Sequence, residues 1–235
     1  MSEAPVTLIT GASTGIGAET ARTLLAEGHR LVLTGRTAET LDVLVTELGS
    51  GDSVRAEVGD TTDPAGVRRA VGAAVDAFGR LDNVVANAGF TSRGSIEDGD
   101  PDEWRAMLLT NVLGPAVLVQ AALPALRESR GRIVIVGSVA GIRNAAGNMY
   151  QVTKWATRAL AENVRLMVTG DGIGVTLIAP GRVDTPFWHG HGRSGPPPGP
   201  VLQPTTIAEA IRWALGQPAG VDVNSLVVRP TGQEI

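Results

Sequence analysis

Two kinds of apolar pattern alternate along the chain. Short runs rich in β-branched residues occur at Val6–Thr10, Leu31–Thr34, Val54–Val58, Leu81–Ala86, Arg132–Val136, Val175–Ala179 and Leu226–Val228. Such runs read as strands. Between them lie longer stretches whose apolar residues recur every three to four positions, the spacing of one helix face. These reach about Glu27 and about Leu48, then cover Pro64–Phe78, Trp104 to about Leu126, Tyr150 to about Val168, and Ile207–Leu215. Strands alternating with helices of this length predict βαβ units and a parallel sheet. The strand runs are apolar on both faces, as expected where helices cover both sides. The pattern therefore predicts one α/β domain over residues 1–235, with a parallel sheet of about seven strands. No repeat or linker divides it. One segment breaks the rhythm: Gly190–Pro204 contains Pro196-Pro197-Pro198-Gly199-Pro200 and can form neither regular helix nor central strand. Residues 186–204 are expected to form a loop, either a surface connector or a lid over a ligand site.

Composition narrows the possible functions. The 235 residues suffice for a sizeable core, and 43% hydrophobic against 19% charged residues points to a globular chain. A net charge of −4 gives no reason to expect nucleic acid or an anionic membrane as partner. The absence of cysteine removes disulfides, thiolate metal sites and thiol nucleophiles. No apolar run approaches the ~18–20 residues that span a bilayer. Met1-Ser2-Glu3-Ala4-Pro5 has no basic leader, so a cytoplasmic protein is expected. Of the 20 basic residues only one is lysine, Lys154, and the chain's 1 tyrosine, Tyr150, lies four residues before it. In a chain that otherwise uses Arg for positive charge, a single Lys suggests a task for a compact ammonium of adjustable pKa.

The first strand runs into Thr10-Gly11-Ala12-Ser13-Thr14-Gly15-Ile16-Gly17. Glycines at a strand-to-helix turn let the backbone turn tightly and approach a pyrophosphate, with the following helix N-terminus directed at the anion. A glycine-rich turn that merely packs helix on strand has the same appearance. A Walker A loop is excluded, since no Gly-Lys-Ser/Thr follows. The second strand ends in Thr34-Gly35-Arg36-Thr37, without the acid that binds an NAD ribose. Arg36 and Thr37 could instead bind a 2′-phosphate; an ordinary solvated arginine is the alternative.

With Tyr150-Gln151-Val152-Thr153-Lys154 added, the chain resembles the short-chain dehydrogenase/reductase family in its short, single-domain form. The motifs fall in family order: the Gly11/Gly15/Gly17 turn, Asp60, Asn87-Ala88-Gly89, Asn111, Ser138, Tyr150 with Lys154, and Pro180-Gly181-Arg182-Val183-Asp184-Thr185. The resemblance implies a Rossmann-type doubly wound sheet and an oxidoreductase that interconverts a small alcohol and its carbonyl with NADP(H), NAD being less suited. It implies a cofactor site made of Gly11, Ser13, Thr14, Gly15, Ile16, Gly17, Arg36, Thr37, Asp60, Thr61, Asn87, Ala88, Gly89, Pro180, Gly181, Val183 and Thr185, joined by Tyr150 and Lys154. Tyr150 would be the general acid and base. A neighbouring positive charge would lower its pKa from ~10, and i,i+4 spacing on a helix puts Lys154 beside it. Ser138 would orient the substrate oxygen, and Asn111 would hold a water linking Lys154 to solvent.

Other chemistries fit less well. A serine hydrolase needs Gly-x-Ser-x-Gly, but Ser138 sits in Val136-Gly137-Ser138-Val139-Ala140. His189-x-His191 has no evident third ligand, so no metal site is expected. Substrate candidates are Phe90, Arg93, Val139, Ile142, Arg143, Asn144, Phe187 and Trp188; the arginines would suit a carboxylate or simply be solvated. The tail Val227–Gln233 resembles that of bacterial members acting on small 3-hydroxy acids. Surplus apolar residues on the two long helices point to a homodimer or homotetramer. A dinucleotide-binding regulator without turnover is the alternative function.

Overall fold

The computed structural model describes residues 4–49, 51–191 and 194–233, with the side chains of 190 and 191 left aside. Seven parallel strands form one sheet: β1 (Val6–Thr10), β2 (Arg30–Gly35), β3 (Val54–Val58), β4 (Asn83–Ala86), β5 (Arg132–Val136), β6 (Gly174–Pro180) and β7 (Ser225–Val228). Their order is β3-β2-β1-β4-β5-β6-β7. The helices are α1 (Gly15–Ala26), α2 (Ala38–Leu48), α3 (Pro64–Phe78), α4 (Pro101–Leu108), α5 (Gly114–Ser129), α6 (Met149–Val168) and α7 (Pro204–Leu215). This is a Rossmann-type doubly wound sheet. Winding reverses between β1 and β4, which opens a crevice beyond the carboxyl ends of those strands.

Successive side chains on a strand face opposite sides, so each strand feeds two cores. Leu8, Val84 and Ile133 pack with Leu118, Leu126 and Val164 of the α3/α5/α6 layer. Ile9, Val85 and Val134 pack with Leu24, Leu41 and Ile211 of the α1/α2/α7 layer. β1, β3 and β5 have the expected bounds. β4 begins two residues later than expected, at Asn83, because Asp82 occupies the strand start. Its carboxylate accepts the Val6 N–H at 2.8 Å, and its own N–H donates to Val6 O at 2.9 Å.

The stretch expected as a helix from Trp104 to about Leu126 is longer and not uniform. It starts at Pro101, where the Asp100 side chain accepts the Asp102 N–H at 2.8 Å, and runs to Ser129. A π turn, Leu109–Leu113, joins α4 to α5. Sequence periodicity does not reveal it, since one extra residue per turn barely disturbs an apolar stripe. The continuous Pro101–Ser129 helix is also long and apolar enough, by length and composition alone, to cross a membrane. This corrects the expectation that no segment would be. In the fold its Leu118, Val119, Ala122 and Leu126 are buried in the core. The 186–204 segment carries a 3₁₀ turn, Pro186–His191, and Leu202 forms a parallel bridge with Val183. Gly192, one of the glycines of that segment, lies outside the described residues.

Candidate active site

A cleft of about 640 Å³ lies over the carboxyl ends of the strands. It is lined by every cofactor and catalytic candidate named above except Gly17 and Asn111. At one end is the glycine turn. Gly11 and Gly15 adopt φ of 61° and 56°, the left-handed region that side chains disfavour. Gly17 has a different role: a Cβ there would lie 2.3 Å from Gly11 O and 2.6 Å from Asn87 Nδ2. It lets α1 tuck close under the turn. Asn87 completes this frame, donating from Nδ2 to Thr10 O and Gly11 O, both at 3.0 Å. Asn87 therefore ties β4 to the turn with its side chain.

The α1 N-terminus faces the cleft. Thr14, at the N-cap, makes no side-chain cap bond, and the first turn holds no acid. By contrast, Asp63 caps α3 and Asn148 caps α6. Free N–H groups and a positive dipole end suit an anion. At the rim beyond lie Arg36 and Thr37, both exposed, and Asp60, whose Oδ1 accepts the Thr62 N–H at 2.8 Å. Uncapped helix N–H groups and a long cleft together match the chemistry of a dinucleotide.

At the other end are Ser138, Tyr150 and Lys154. Ser138 follows β5. Its Oγ accepts the Ala140 N–H at 3.1 Å, capping a 3₁₀ turn, and is hydrogen-bonded to the Tyr150 hydroxyl. The same oxygen thus serves both the turn and the contact with Tyr150. One turn along α6, Lys154 is buried, with Nζ donating to Val136 O at 3.0 Å. Nζ lies 5.7 Å from the Tyr150 ring centroid. Burial pushes the Lys154 ammonium down to about 8. Burial raises the Tyr150 phenol above its ordinary value, and the Ser138 hydrogen bond opposes that only in part. Without a bound cofactor, desolvation is the larger influence on the phenol, and the Ser138 hydrogen bond is the one that lowers it.

Asn111 sits in the π turn, buried behind the cleft. Its Oδ1 accepts the Phe90 N–H at 3.0 Å, and its Nδ2 donates to Phe90 O (2.9 Å) and Thr153 Oγ1 (3.0 Å). Its main-chain carbonyl accepts Thr157 Oγ1 at 3.0 Å. The side-chain amide is thus committed to protein partners, which pin the π turn to Phe90 and α6.

Of the substrate candidates, Phe90, Val139, Arg143, Phe187 and Trp188 line the cleft, and Arg93, Ile142 and Asn144 do not. Phe187 tilts against Tyr150 with centroids 5.4 Å apart, and Trp188 meets Phe187 edge-on at 5.5 Å. The Trp188 indole donates to Val183 O at 2.8 Å, which fixes this apolar wall. Pro197, from the segment expected as a connector or lid, also lines the cleft, as do Asn148, Gln151, Arg182 and Gln233, to which sequence reasoning gave no role. Arg182 could have been found from its place within the Pro180–Thr185 motif. Gln233 reaches the site only through a contact 51 residues away in sequence. Among the described residues, no group of three or more His, Asp or Glu could hold a metal ion.

Comparison with known proteins adds three findings. The model of the short chain dehydrogenase family matches residues 5–194. An uncharacterised oxidoreductase of Staphylococcus aureus (strain MW2) is 36% identical over 227 residues, covering 96% of each chain. Among solved structures, an alcohol dehydrogenase from the archaeon Thermococcus sibiricus, complexed with 5-hydroxy-NADP, is 31% identical with a TM-score of 0.89, covering 99% of both chains. The closed form of a serine dehydrogenase complexed with NADP+ is 29% identical with a TM-score of 0.88, covering 98% of this chain and 96% of that one. NADH also occurs among the neighbours, in a 25% identical reductase from Brucella melitensis.

Proposed function

The chain belongs to the short-chain dehydrogenase/reductase family, and on that premise we propose that it is an NADP(H)-dependent enzyme interconverting a small alcohol and its ketone or aldehyde. One observation carries the reading. A hydrogen-bonded serine–tyrosine pair and a buried lysine stand at one end of a cleft whose other end offers free helix N–H groups and Arg36. A protein that only bound dinucleotide would have no use for the buried acid–base group, which weighs against the regulatory alternative.

Bound NADPH supplies the hydride for reduction. The protein supplies the rest. The Gly11–Gly17 turn and the α1 N-terminus hold the pyrophosphate. Arg36 and Thr37 take the 2′-phosphate, which favours NADP(H) over NAD(H). Asp60 and Thr61 border the adenine. Ala88 and Gly89 line the ribose side, and Pro180, Gly181, Val183 and Thr185 wall the nicotinamide end. Ser138 donates to the substrate oxygen, and Tyr150 gives that oxygen a proton as it gains negative charge. The raised phenol pKa keeps Tyr150 in its acid form at neutral pH, ready for reduction. In oxidation, Tyr150 must release its proton, and the Lys154 ammonium would stabilise the phenolate. Asn111 contributes by pinning the π turn to Phe90 and α6, and would hold the water of a relay from Lys154 to solvent.

For substrate, the Phe187/Trp188 wall and Arg143 in the cleft suit a small molecule pairing an apolar part with a carboxylate. The likeness to a serine dehydrogenase supports the same class. Dependence on cellular NADPH fits a cytoplasmic enzyme. For assembly, Leu108, Leu109 and Leu113 on the α4–α5 helix and Val152, Trp155, Leu166 and Met167 on α6 are all exposed. Covering them in a homodimer or homotetramer would create interfaces of more than ~2,000 Å² in total; a single ~24 kDa species by light scattering at micromolar concentration would refute this. The decisive test of function is NADPH oxidation with a panel of small ketones, aldehydes and keto acids. Turnover with some members and not others is expected. Tight NADPH binding with no turnover anywhere would return the regulatory alternative.

A further inference from the structure

The tail after β7 was singled out in the sequence but has no part in the chemistry above. The chain turns back at Pro230, with the Gln233 N–H donating to Pro230 O at 3.1 Å, and the Arg229 guanidinium closes the turn onto Gln233 O. This folds Gln233 inward, leaving it 4% exposed at the cleft wall. Its Oε1 accepts the Arg182 main-chain N–H at 2.9 Å. The amide fills the space above Gly181, where a Cβ would lie 2.4 Å from Oε1. An N–H donor identifies the acceptor atom, so the amide orientation is set by the bond itself.

Residues 181–184 are held on their other side by the proline-rich segment. Leu202 N–H donates to Arg182 O at 2.8 Å, and Asp184 N–H donates to Leu202 O at 2.9 Å. The Arg182 side chain donates to Pro198 O at 3.2 Å. The strip that walls one end of the cleft is thus clamped between the C-terminal tail and the 194–204 segment. On the tail side Gly181 N–H donates to Val228 O at 2.7 Å, and the next amide, Arg182 N–H, is met by the buried Gln233 side chain.

We propose that Gln233 is a positioning residue: through its bond to Arg182 N–H it sets the place of the 181–184 strip, and with it the segment bridged at Leu202. That the strip receives a nicotinamide cofactor rests on the function proposed above; the brace itself does not. In Gln233→Leu the packing volume is kept and the acceptor lost, while Gln233→Glu keeps an acceptor. Hydrogen exchange of the cofactor-free proteins, read in peptides spanning 181–184 and 202, measures the brace. NADPH affinity by fluorescence titration measures its consequence. Gln233→Leu should exchange faster at these amides alone and bind NADPH about threefold to tenfold more weakly, the range one net hydrogen bond supports. Gln233→Glu should restore both towards the unmutated values. Unchanged exchange at 181–184 in Gln233→Leu would overturn the proposal. Exchange that rises equally throughout the sheet would also overturn it, as the mark of general destabilisation. If the unmutated protein binds no NADPH, the cofactor reading falls, and the exchange comparison still decides the brace.

Discussion

The two ends of the cleft are built differently. The end beside β1 and β2 is made of backbone: a glycine turn, an uncapped helix N-terminus, and two exposed side chains, Arg36 and Asp60, at the rim. Everything it needs lies within a few residues of a strand end. The end beside β5 and β6 is made of side chains locked together across the chain. Ser138 bonds Tyr150, Lys154 bonds Val136 O, and Asn111 bonds Thr153 and Phe90. A backbone site tolerates changes in its rim and alters affinity by degrees. A buried polar network does not, because each lost partner leaves a desolvated group behind. Substitutions at the β5/β6 end should therefore remove chemistry, and substitutions at the β1/β2 rim should retune preference.

The sharpest test of that contrast is Tyr150→Phe. It removes the hydroxyl bonded to Ser138 while keeping the ring that packs on Phe187. We expect kcat to fall by about two to four decades, with NADPH affinity nearly unchanged. A fall confined to KM would mean that Tyr150 binds rather than reacts.

Lys154→Arg comes next. The charge is kept, but a planar fork must enter a buried space sized for an ammonium at Val136 O. Steady-state kinetics should show a loss approaching that of Tyr150→Phe; an active variant would refute the need for a compact ammonium. Lys154 also predicts a pH effect without ligand. Its folded pKa of about 8 lies below the ordinary 10.5, so between those values the unfolded chain holds the extra proton and stability rises with pH. That rise should be missing from the thermal melts of Lys154→Met.

How much of this the sequence revealed follows the same division. The glycine turn, Arg36 and the Tyr150–Lys154 spacing were legible because their partners are local or repeat at helical period. The strand and helix count was legible because burial on both sheet faces imposes continuous apolar runs. The π turn around Asn111 was not, since it leaves the apolar stripe intact. Nor was the balance at Tyr150: the charge of Lys154 can be read from spacing, but desolvation depends on Phe187 and the walls that arrive from elsewhere. Gln233 was seen only as a tail, because its contact with Arg182 is a product of topology. Gly17 was assigned to the ligand by its motif, whereas its packing against Gly11 O and Asn87 needs the third dimension.

Arg36→Asp probes the rim and should have a milder effect. A 2′-phosphate would lose its charge-assisted partner and meet a carboxylate. The unmutated protein should bind NADPH at least about tenfold more tightly than NADH, and the variant should flatten or reverse that ratio. Because this end carries no chemistry, kcat with saturating cofactor should hardly move. Equal affinities in the unmutated protein would remove Arg36 from the cofactor site. A large drop in kcat would show the two ends to be coupled.

The smallest effect is expected far from the cleft, at the amino ends of the strands. Asn83 Nδ2 donates to Thr7 Oγ1 at 3.1 Å, and the Thr7 hydroxyl shares a 2.9 Å hydrogen bond with His29 Nδ1. Burial lowers the His29 pKa below 6.5, against the opposing pull of Asp82 and Glu27. As pH falls through the unfolded value, the unfolded chain therefore takes up a proton that the folded chain resists, and stability is lost. The ring is partly exposed, so solvent screening keeps the loss small. Melts between pH 7.5 and 5.5 should show this slope in the unmutated protein and a flatter one in His29→Gln. An equal slope in both would assign the acid sensitivity to carboxylates elsewhere. A slope that vanished together with turnover would break the separation between sheet floor and cleft on which the contrast of the two ends depends.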